Sequence, residues 1–457
     1  MTRIGPRIAG ATLAAIMSLV WGAAHAQTLT VDRAVELALR NSTEARNAEA
    51  GLDDARGGLY GAYSGVLPSL SGTASRGGNW QKKNAGTQVF GTVVFPTDRS
   101  DQETFSTRPS LSASWSVLNL SSLSGLSAAR TALKAAKLSR DASRNDIVFN
   151  TRQQFYEVVK SIKLAEVSSG ALRLSRDDER RVRALFEVGS VSRADLLKAQ
   201  VATAQSELDS LTSYQNVTVQ RIVLATVLGI AETEMGQVDT VLTTEAQDYD
   251  ESELLAEAER NRPDLKAAEA QLSSAKANVQ AAAWQRFPYL TLSAGATYQP
   301  TTSFKVTTYD TNGVALPSPL ETSGRNESDL WYSASIALNW NIFDGLATDG
   351  RIAGARAQRI RAEAAYDRLR RNLESGVRQT LLTYRQTIES QRVAARALAF
   401  ATENLKLTQQ KYNVGSSTIL DLIDAQVQLQ RAQSDAVTAL ASIRVAEAAI
   451  ERVRGGR

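Results

Sequence analysis

The sequence lacks cysteine altogether and contains a single histidine, His25. That histidine lies in a predicted signal peptide, so we expect the exported chain to carry neither residue. A thiol nucleophile, a Ser–His pair, an imidazole base and an ordinary zinc or copper site are then excluded. Disulfides cannot support the fold either. We therefore predict that the protein is not an enzyme, binds no metal and needs no cofactor.

Long apolar runs are rare, and the one near the start of the chain has the features of a secretory signal. Arg3 and Arg7 precede an apolar stretch at 8–20, and a small-x-small cleavage site follows at 24–26. We predict a signal peptide over 1–26. No cysteine follows it, which argues against an acyl-anchored lipoprotein, and no later run of about 18 apolar residues predicts a transmembrane helix. The chain is then either soluble in the periplasm or crosses an outer membrane as β-strands.

An excess of charge of one sign is also missing. The chain has 52 Lys and Arg against 48 Asp and Glu, and the signal peptide takes two of the arginines. A nearly neutral exported chain gives no basis for nucleic-acid binding, which needs a strongly basic surface.

What the sequence does contain is a duplication. The segment 186–201, FEVGSVSRADLLKAQV, matches 412–427, YNVGSSTILDLIDAQV, with Val, Gly, Ser, Asp, Leu, Ala, Gln and Val coinciding in order. Such a repeat indicates that the chain consists of two copies of one structural unit. We divide the exported chain into a first structural repeat at 27–230, a linker at 231–250 and a second structural repeat at 251–457.

Each repeat is expected to contain a helix, two strands, a long helix and a shorter helix. The predicted helices are rich in good helix formers and cover 30–64, 121–187, 192–230, 250–285, 346–412 and 418–453. In the two long helices apolar and small residues recur at three- and four-residue spacing, which indicates coiled-coil packing. A helix over 121–187 would be on the order of 100 Å long, and no compact domain of this size requires one.

The segments between the helices, at 65–120 and 286–345, alternate between apolar and polar residues, as half-buried strands do. Apolar-out, polar-in strands with aromatic residues near their ends are what a transmembrane β-barrel requires. We assign four tryptophans to the membrane interface: Trp80, Trp115, Trp331 and Trp340. The alternative is a pair of ordinary half-buried hairpins in a soluble domain.

Four strands cannot form a transmembrane barrel by themselves. An open sheet in lipid leaves edge N–H and C=O groups unsatisfied, at a cost of several kcal/mol each, and the smallest such barrels have about eight strands. The chain must therefore oligomerise if its strands cross a membrane. Three copies would give a twelve-stranded barrel, although the sequence alone does not specify three.

The duplicated motif at 186–200 and 412–426, together with Asn-Arg-Pro-Asp-Leu at 261–265, resembles the TolC-like outer membrane efflux protein family. The resemblance covers essentially the whole exported chain. It implies an α+β membrane protein that forms a homotrimer, with a twelve-stranded β-barrel in the outer membrane of a Gram-negative bacterium. The long coiled-coil-like helices would form an α-barrel in the periplasm.

The same resemblance implies a passive channel. In this family, substrates pass from an inner-membrane pump through a periplasmic adaptor (membrane fusion) protein and the channel to the exterior, in efflux or type I secretion. The expected partners are the pump, the adaptor and outer-membrane lipid. The alternative is a periplasmic coiled-coil adaptor or scaffold without a pore, although adaptors usually flank a single hairpin with compact β-domains.

The repeated Val-Gly-Ser turn is the candidate functional site. Gly189 and Gly415 each follow a helix end, where a left-handed residue is favoured. Ser/Thr-x-x-Asp then begins the next helix, ending at Asp195 and Asp421, and this pattern predicts a capping box. The resemblance implies that the tips contact the adaptor through Val188, Gly189, Ser190, Val414, Gly415 and Ser416.

A gate is also implied by the resemblance. Asp421 and Asp424 match positions that line the constricted periplasmic mouth, where six carboxylates of a trimer would raise some pKa values and favour cations. For Asp421 the alternative is helix capping, and for Asp424 it is a solvated helix face.

A lock between the two tips is implied by the same match, with Tyr412 and Asp195 as its partners. An arginine common in the family is replaced here by Ser417, so Arg193 is the candidate for the missing cation. The alternatives are helix capping for Asp195 and an ordinary surface charge for Arg193.

Overall fold

The computed structural model describes residues 28–242, 247–299, 303–310, 312–316, 320–323 and 329–456. The signal peptide predicted at 1–26 lies outside these residues. Contacts divide the chain into two compact units. One comprises the described parts of 1–52, 136–267 and 367–457, and the other those of 53–135 and 268–366.

Within the described residues, four α-helices come from each half of the chain. The first half contains α1 Val31–Asn41, α2 Thr43–Ser64, α3 Leu120–Glu187 and α4 Arg193–Leu228; the second contains α5 Glu251–Asn261, α6 Pro263–Trp284, α7 Ala347–Asn413 and α8 Ile419–Arg454. The long helices α3 and α7 agree with their predicted bounds within one residue at each end. None of the described helices is both long and apolar enough to cross a membrane.

The helices predicted at 30–64 and 250–285 are each broken in two. Ser42 has extended backbone angles, and its hydroxyl accepts the Ala45 N–H at 3.1 Å, which caps α2. Arg262 is extended as well, because the proline that follows it disfavours the α conformation at the preceding residue. That proline then occupies the first position of α6, where its missing N–H costs nothing.

The segments between the helices contain more strands than the two per repeat that the sequence predicts. The first segment contains β1 Ser69–Lys83, the hairpin β2 Gly86–Phe90 with β3 Val93–Thr97, and β4 Ser100–Val117. The second contains β5 Tyr289–Gln299, β6 Ser303–Thr308, β7 Leu320–Ser323 and β8 Asp329–Asn339.

Six of these strands form one antiparallel sheet. The central strand β4 pairs with β1 along one side and with β5 and β6 along the other. On the far side β5 pairs with β8 and β6 with β7, so the sheet is four strands wide. β1 forms one edge, and β8 together with β7 forms the other; none of the three has a second neighbouring strand among the described residues.

The register gives this sheet two unlike faces. Trp115, Leu292 and Ile336 lie opposite one another on one face, whereas Ser293 and Ser335 share a hydroxyl hydrogen bond of 2.6 Å on the other. The alternation between apolar and polar residues holds over 110–117, the last part of β4. We call these the apolar face and the hydroxyl face.

A hydrophobic core cluster of the first unit lies between α1, α3 and α4. Ala34, Phe155 and Leu228 contribute to it from the three helices, and Met235 joins it from the chain that follows α4. Part of the segment predicted as a linker at 231–250 therefore packs against the helices.

Candidate functional site: the helix tips

Both long helices end in the same turn. After α3, Gly189 has φ +78°; its N–H bonds the carbonyl three residues earlier at 2.9 Å, and the Ser190 N–H bonds the carbonyl five residues earlier at 2.8 Å. After α7, Gly415 has φ +75°, and the corresponding bonds of Gly415 and Ser416 are 3.1 and 2.9 Å. This is a Schellman ending, which favours glycine because a positive φ strains a residue with a Cβ atom.

The residues predicted to contact an adaptor lie at these turns and are exposed. Val188 and Val414 stand beside the two glycines with 74% and 79% of their surface accessible. A valine so exposed buries little of its apolar surface within the chain, so each turn presents a largely uncovered apolar side chain.

The second turn leads into a capping box at the start of α8. The Thr418 hydroxyl accepts the Asp421 N–H at 3.2 Å, and the Asp421 carboxylate accepts the Thr418 N–H at 2.8 Å. The hydroxyls of Thr418 and Ser417 also donate to this carboxylate, at 2.8 and 3.0 Å. These hydrogen bonds, with the backbone bond largest, hold the pKa of Asp421 below its usual range.

The first turn is capped by different contacts. Ser192 caps α4: its hydroxyl accepts the Asp195 N–H at 3.2 Å and donates to the Asp195 carboxylate at 2.7 Å. Lys198 donates to the same carboxylate at 3.3 Å. The Ser192 hydroxyl, and to a lesser degree Lys198, lower the pKa of Asp195. The capping box predicted at Asp421 is therefore confirmed, whereas at the first tip Ser192 caps α4 and the Asp195 carboxylate is held by other contacts.

Asp424 differs from these capped carboxylates. It is exposed, and no ion pair or hydrogen bond of its side chain is present in the described part of the chain. It lies three residues after Asp421, so both carboxylates are on one side of α8. The same position in the first repeat is Lys198. Across the described residues, no group of three acidic or histidine side chains could hold a metal ion.

The structure does not bring the predicted lock residues into hydrogen bonds with one another. Tyr412 packs against a small core under the tips that contains Val182, Ile419 and Leu422. Among the described residues, it makes no hydrogen bond to Asp195. Burial, and then the nearby carboxylate of Asp178, raise the pKa of the Tyr412 hydroxyl. Arg193, the candidate cation, is exposed and forms no ion pair within the described residues.

A buried carboxylate that the sequence analysis missed lies beside this core. Asp178 on α3 accepts a hydrogen bond from the Gln426 amide on α8, and Arg181 donates to its other oxygen at 3.1 Å. Only 8% of Asp178 is exposed, and burial raises its pKa. The two repeats are therefore joined by a polar contact close to the tips.

Two signals in the sequence could have identified this contact. Asp178 lies four residues before Val182, so it falls on the buried side of α3, where a carboxylate needs a partner. Gln426 belongs to the duplicated motif, where it corresponds to Gln200. The partner could not be identified without the packing of α3 against α8.

The predicted interface tryptophans fall into different environments. The Trp115 indole donates to the Val66 carbonyl at 2.9 Å, and the Trp340 indole donates to the Arg286 carbonyl at 3.1 Å. The two repeats thus make the same contact where a strand begins. Trp80 stacks edge-on against a phenylalanine of β4, on the side of β1 that carries the apolar residues.

Trp331 is the exception among the four. The register of β8 against β5 pairs Trp331 with Thr297, which places it on the hydroxyl face. Its neighbours along β8, Leu330 and Tyr332, lie on the apolar face instead. The register therefore gives no support to Trp331 as a residue of a lipid interface.

Comparisons with known proteins agree with this architecture. The profile of the outer membrane efflux protein family matches residues 34–230 and 254–456. The curated nodulation protein T of Rhizobium leguminosarum bv. viciae is 27% identical over 331 residues, which is 70% of this chain and 61% of that protein. The chain therefore spans about three fifths of the length of that relative. The outer membrane protein TolC of Vibrio cholerae is 22% identical over 95% of this chain and 91% of its own.

A solved structure shows the same fold. The CmeC outer membrane channel of Campylobacter jejuni superimposes with a TM-score of 0.76 at 17% identity, covering 93% of this chain and 85% of its own. Members of the family are channels rather than enzymes, and the outer membrane, the location predicted from the sequence, is that of the family. Because the family profile covers most of the chain in two consecutive matches, this protein belongs to the outer membrane efflux protein family.

Proposed function

We propose that this protein is the outer-membrane exit channel of a tripartite efflux or type I secretion system. In this role it passively conducts substrates that an inner-membrane pump and a periplasmic adaptor deliver. It acts as a homotrimer: each chain contributes four strands to a twelve-stranded transmembrane barrel, and the helices of the three chains form a periplasmic α-barrel whose tips act as the gate.

The observation that carries this proposal is the sheet. One face is apolar, the other carries hydroxyls, and the edges β1 and β8 have no further strand partner among the described residues. Such a sheet is unfavourable in lipid unless its edges are paired. Pairing β1 of one copy with the edge that β8 and β7 form in the next satisfies both edges and directs the hydroxyl face towards a common interior.

The helices support the same assembly. An open groove of about 1210 Å³ lies among α3, α4 and α8. Its walls carry exposed apolar side chains, among them Leu174, Leu197, Val201, Leu420 and Val427. Exposed apolar surface of this extent marks an interface, and in the proposed trimer it is covered by neighbouring helices.

At the tips, the exposed valines provide the contacts for an adaptor, and Asp421 with Asp424 narrow the mouth. Three copies place six carboxylates around one axis, which favours cations over anions at the entrance. The hydrogen bond between Asp178 and Gln426 holds the two repeats together next to this mouth.

The test is fractionation followed by electrical recording. The full-length protein is expected in the outer-membrane fraction as an oligomer that heating in detergent dissociates, and the purified oligomer is expected to conduct ions across a planar lipid bilayer. A monomer in the soluble periplasm would rule the channel out and favour a periplasmic adaptor or scaffold. An outer-membrane oligomer without conductance would contradict the pore alone.

A further inference from the structure

Trp331 occupies an unexpected position in the sheet. It pairs with Thr297 of β5, which pairs with Ser110 of β4, which in turn pairs with Thr73 of β1. Residues directly opposite one another on neighbouring strands point to the same side of a sheet. Trp331 therefore shares a face with three hydroxyl side chains.

That face carries small polar side chains in the rows nearest to Trp331. Thr73 and Ser110 are joined by a hydroxyl hydrogen bond of 2.7 Å, and Ser71 and Ser112 by one of 2.8 Å. Trp331 is the single large aromatic residue in these rows. An indole among serines and threonines gains little from packing against its neighbours, so the chain itself gives little structural reason for it.

The indole is also available to a ligand. Trp331 is 63% exposed, and within the described part of the chain it has no stacked ring, no cation over its face and no hydrogen bond. The other three tryptophans predicted at the interface each have such a contact.

The charges nearby select the kind of ligand. The hydroxyl face carries no charged side chain from the row of Trp331 to the helix end of the sheet. The next register position outward on this face is Asp329, opposite Gln299, on β8 and Arg108, opposite Ser75, on β4. Each lies two residues from the row of Trp331, which is about 7 Å along a strand. With one acidic and one basic residue at this level, neither a cation nor an anion is favoured beside the indole, and stacking with a neutral ring is the available interaction.

We propose that Trp331 is a cargo-contacting residue on the inner wall of the channel, where it stacks against neutral planar aromatic solutes. This inference rests on the proposed function, since the hydroxyl face becomes the inner wall only when the sheet closes. In a trimer the three copies place three indoles at one level of the pore, each beside the edge at which two chains meet.

The experiment measures interruptions of the current through single pores in a planar bilayer. The probe is N-acetyl-tryptophanamide, a neutral aromatic solute, with N-acetyl-leucinamide as its non-aromatic counterpart. The aromatic probe is expected to block transiently, and Trp331→Ala should shorten its residence about three- to tenfold, the loss of one aromatic pair. Trp331→Phe should retain most of the block.

Tyr332→Ala is the matched control, because Tyr332 is 77% exposed on the opposite face of the same strand. It should leave the block unchanged. A purely structural role for Trp331 predicts instead that Trp331→Ala alters heat dissociation and open-pore conductance without a selective loss of aromatic block.

The outcomes separate the two proposals. Three results would overturn the role of Trp331 without contradicting the channel: normally conducting pores that show no aromatic block, a block that Trp331→Ala leaves intact, or a block that Tyr332→Ala removes equally. Absence of pores from the wild-type protein overturns the channel, and the cargo contact with it.

Discussion

The two helix tips have nearly the same backbone and different electrostatics. Both turns place a glycine at positive φ and close with matching hydrogen bonds, and both cap the next helix with a hydroxyl that accepts the N–H of an aspartate. Beside the first cap stands Lys198, which neutralises Asp195; beside the second stands Asp424. Helix capping is therefore common to both tips, whereas the residue one turn further on differs. The aspartates at the caps have a structural role in both repeats, and the additional carboxylate of Asp424 is specific to the tip proposed to form the mouth.

The largest expected effect comes from removing the carboxylates of the second tip. Asp421→Ala combined with Asp424→Ala should weaken block of the pore by a multivalent cation at least about tenfold. Each unit charge contributes roughly 1 kcal/mol at close range even in water, and a trimer loses six. Reversal potentials and block constants, recorded in planar bilayers, measure the changes in cation preference and in block. Asp195→Ala is the control at the first tip. An equal weakening of the block in that variant would show that cation binding does not depend on the charge difference between the tips.

The contact between the repeats should matter next. Gln426→Ala leaves the buried Asp178 without the amide that donates to it, at a cost of about 1–3 kcal/mol. The variant oligomer should dissociate at lower temperature and leak more ions at rest. Gln200→Ala, the same position in the first repeat, is the matched control, because in the described part of the chain its side chain makes no hydrogen bond. Equal destabilisation by both variants would contradict the contact.

A smaller difference is expected between the two caps. Thr418→Ala removes the hydroxyl of a complete capping box, whereas Ser192→Ala removes a cap whose aspartate keeps Lys198. Each should cost about 1 kcal/mol, with the larger loss at Thr418. Heat dissociation of the purified oligomer measures the loss. If Ser192→Ala is the more damaging, Lys198 does not compensate for the missing hydroxyl.

Much of the helical architecture could be predicted from the sequence because its determinants are local. The good helix formers of α3 and α7, and the glycine and Ser/Thr-x-x-Asp around each tip, act within a few residues. The breaks at Ser42 and Arg262 are also local, and were missed because the helical pattern continues across them.

The remaining features depend on pairing between distant parts of the chain. Leu330, Trp331 and Tyr332 are consecutive large residues, and Trp331 joins the face of Ser333 and Ser335 only if the strand extends beyond Tyr332 without a break. The pairing of β8 with β5 shows that it does, because the pairing continues to Asp329. Likewise, the partner of Asp178 lies on a helix of the other repeat. The lock predicted between Tyr412 and Asp195 forms no hydrogen bond within the described part of the chain, and it stays a prediction for the assembled protein.

The smallest expected effect is the response of the two tips to acid. The pKa of Asp421 is lowered in the folded chain, so the stability it adds is present above the unfolded pKa of about 3.9 and is lost as pH falls through the folded value. Asp195 behaves in the same way. The pKa of Asp178 is raised by burial, so its ionisation costs stability at neutral pH, and protonation relieves that cost first as pH falls. Heat dissociation followed from pH 7 to pH 3 should therefore decline less steeply in Asp421→Asn than in the wild type, and more steeply in Asp178→Asn. Parallel curves for all three proteins would mean that neither carboxylate changes its pKa on folding.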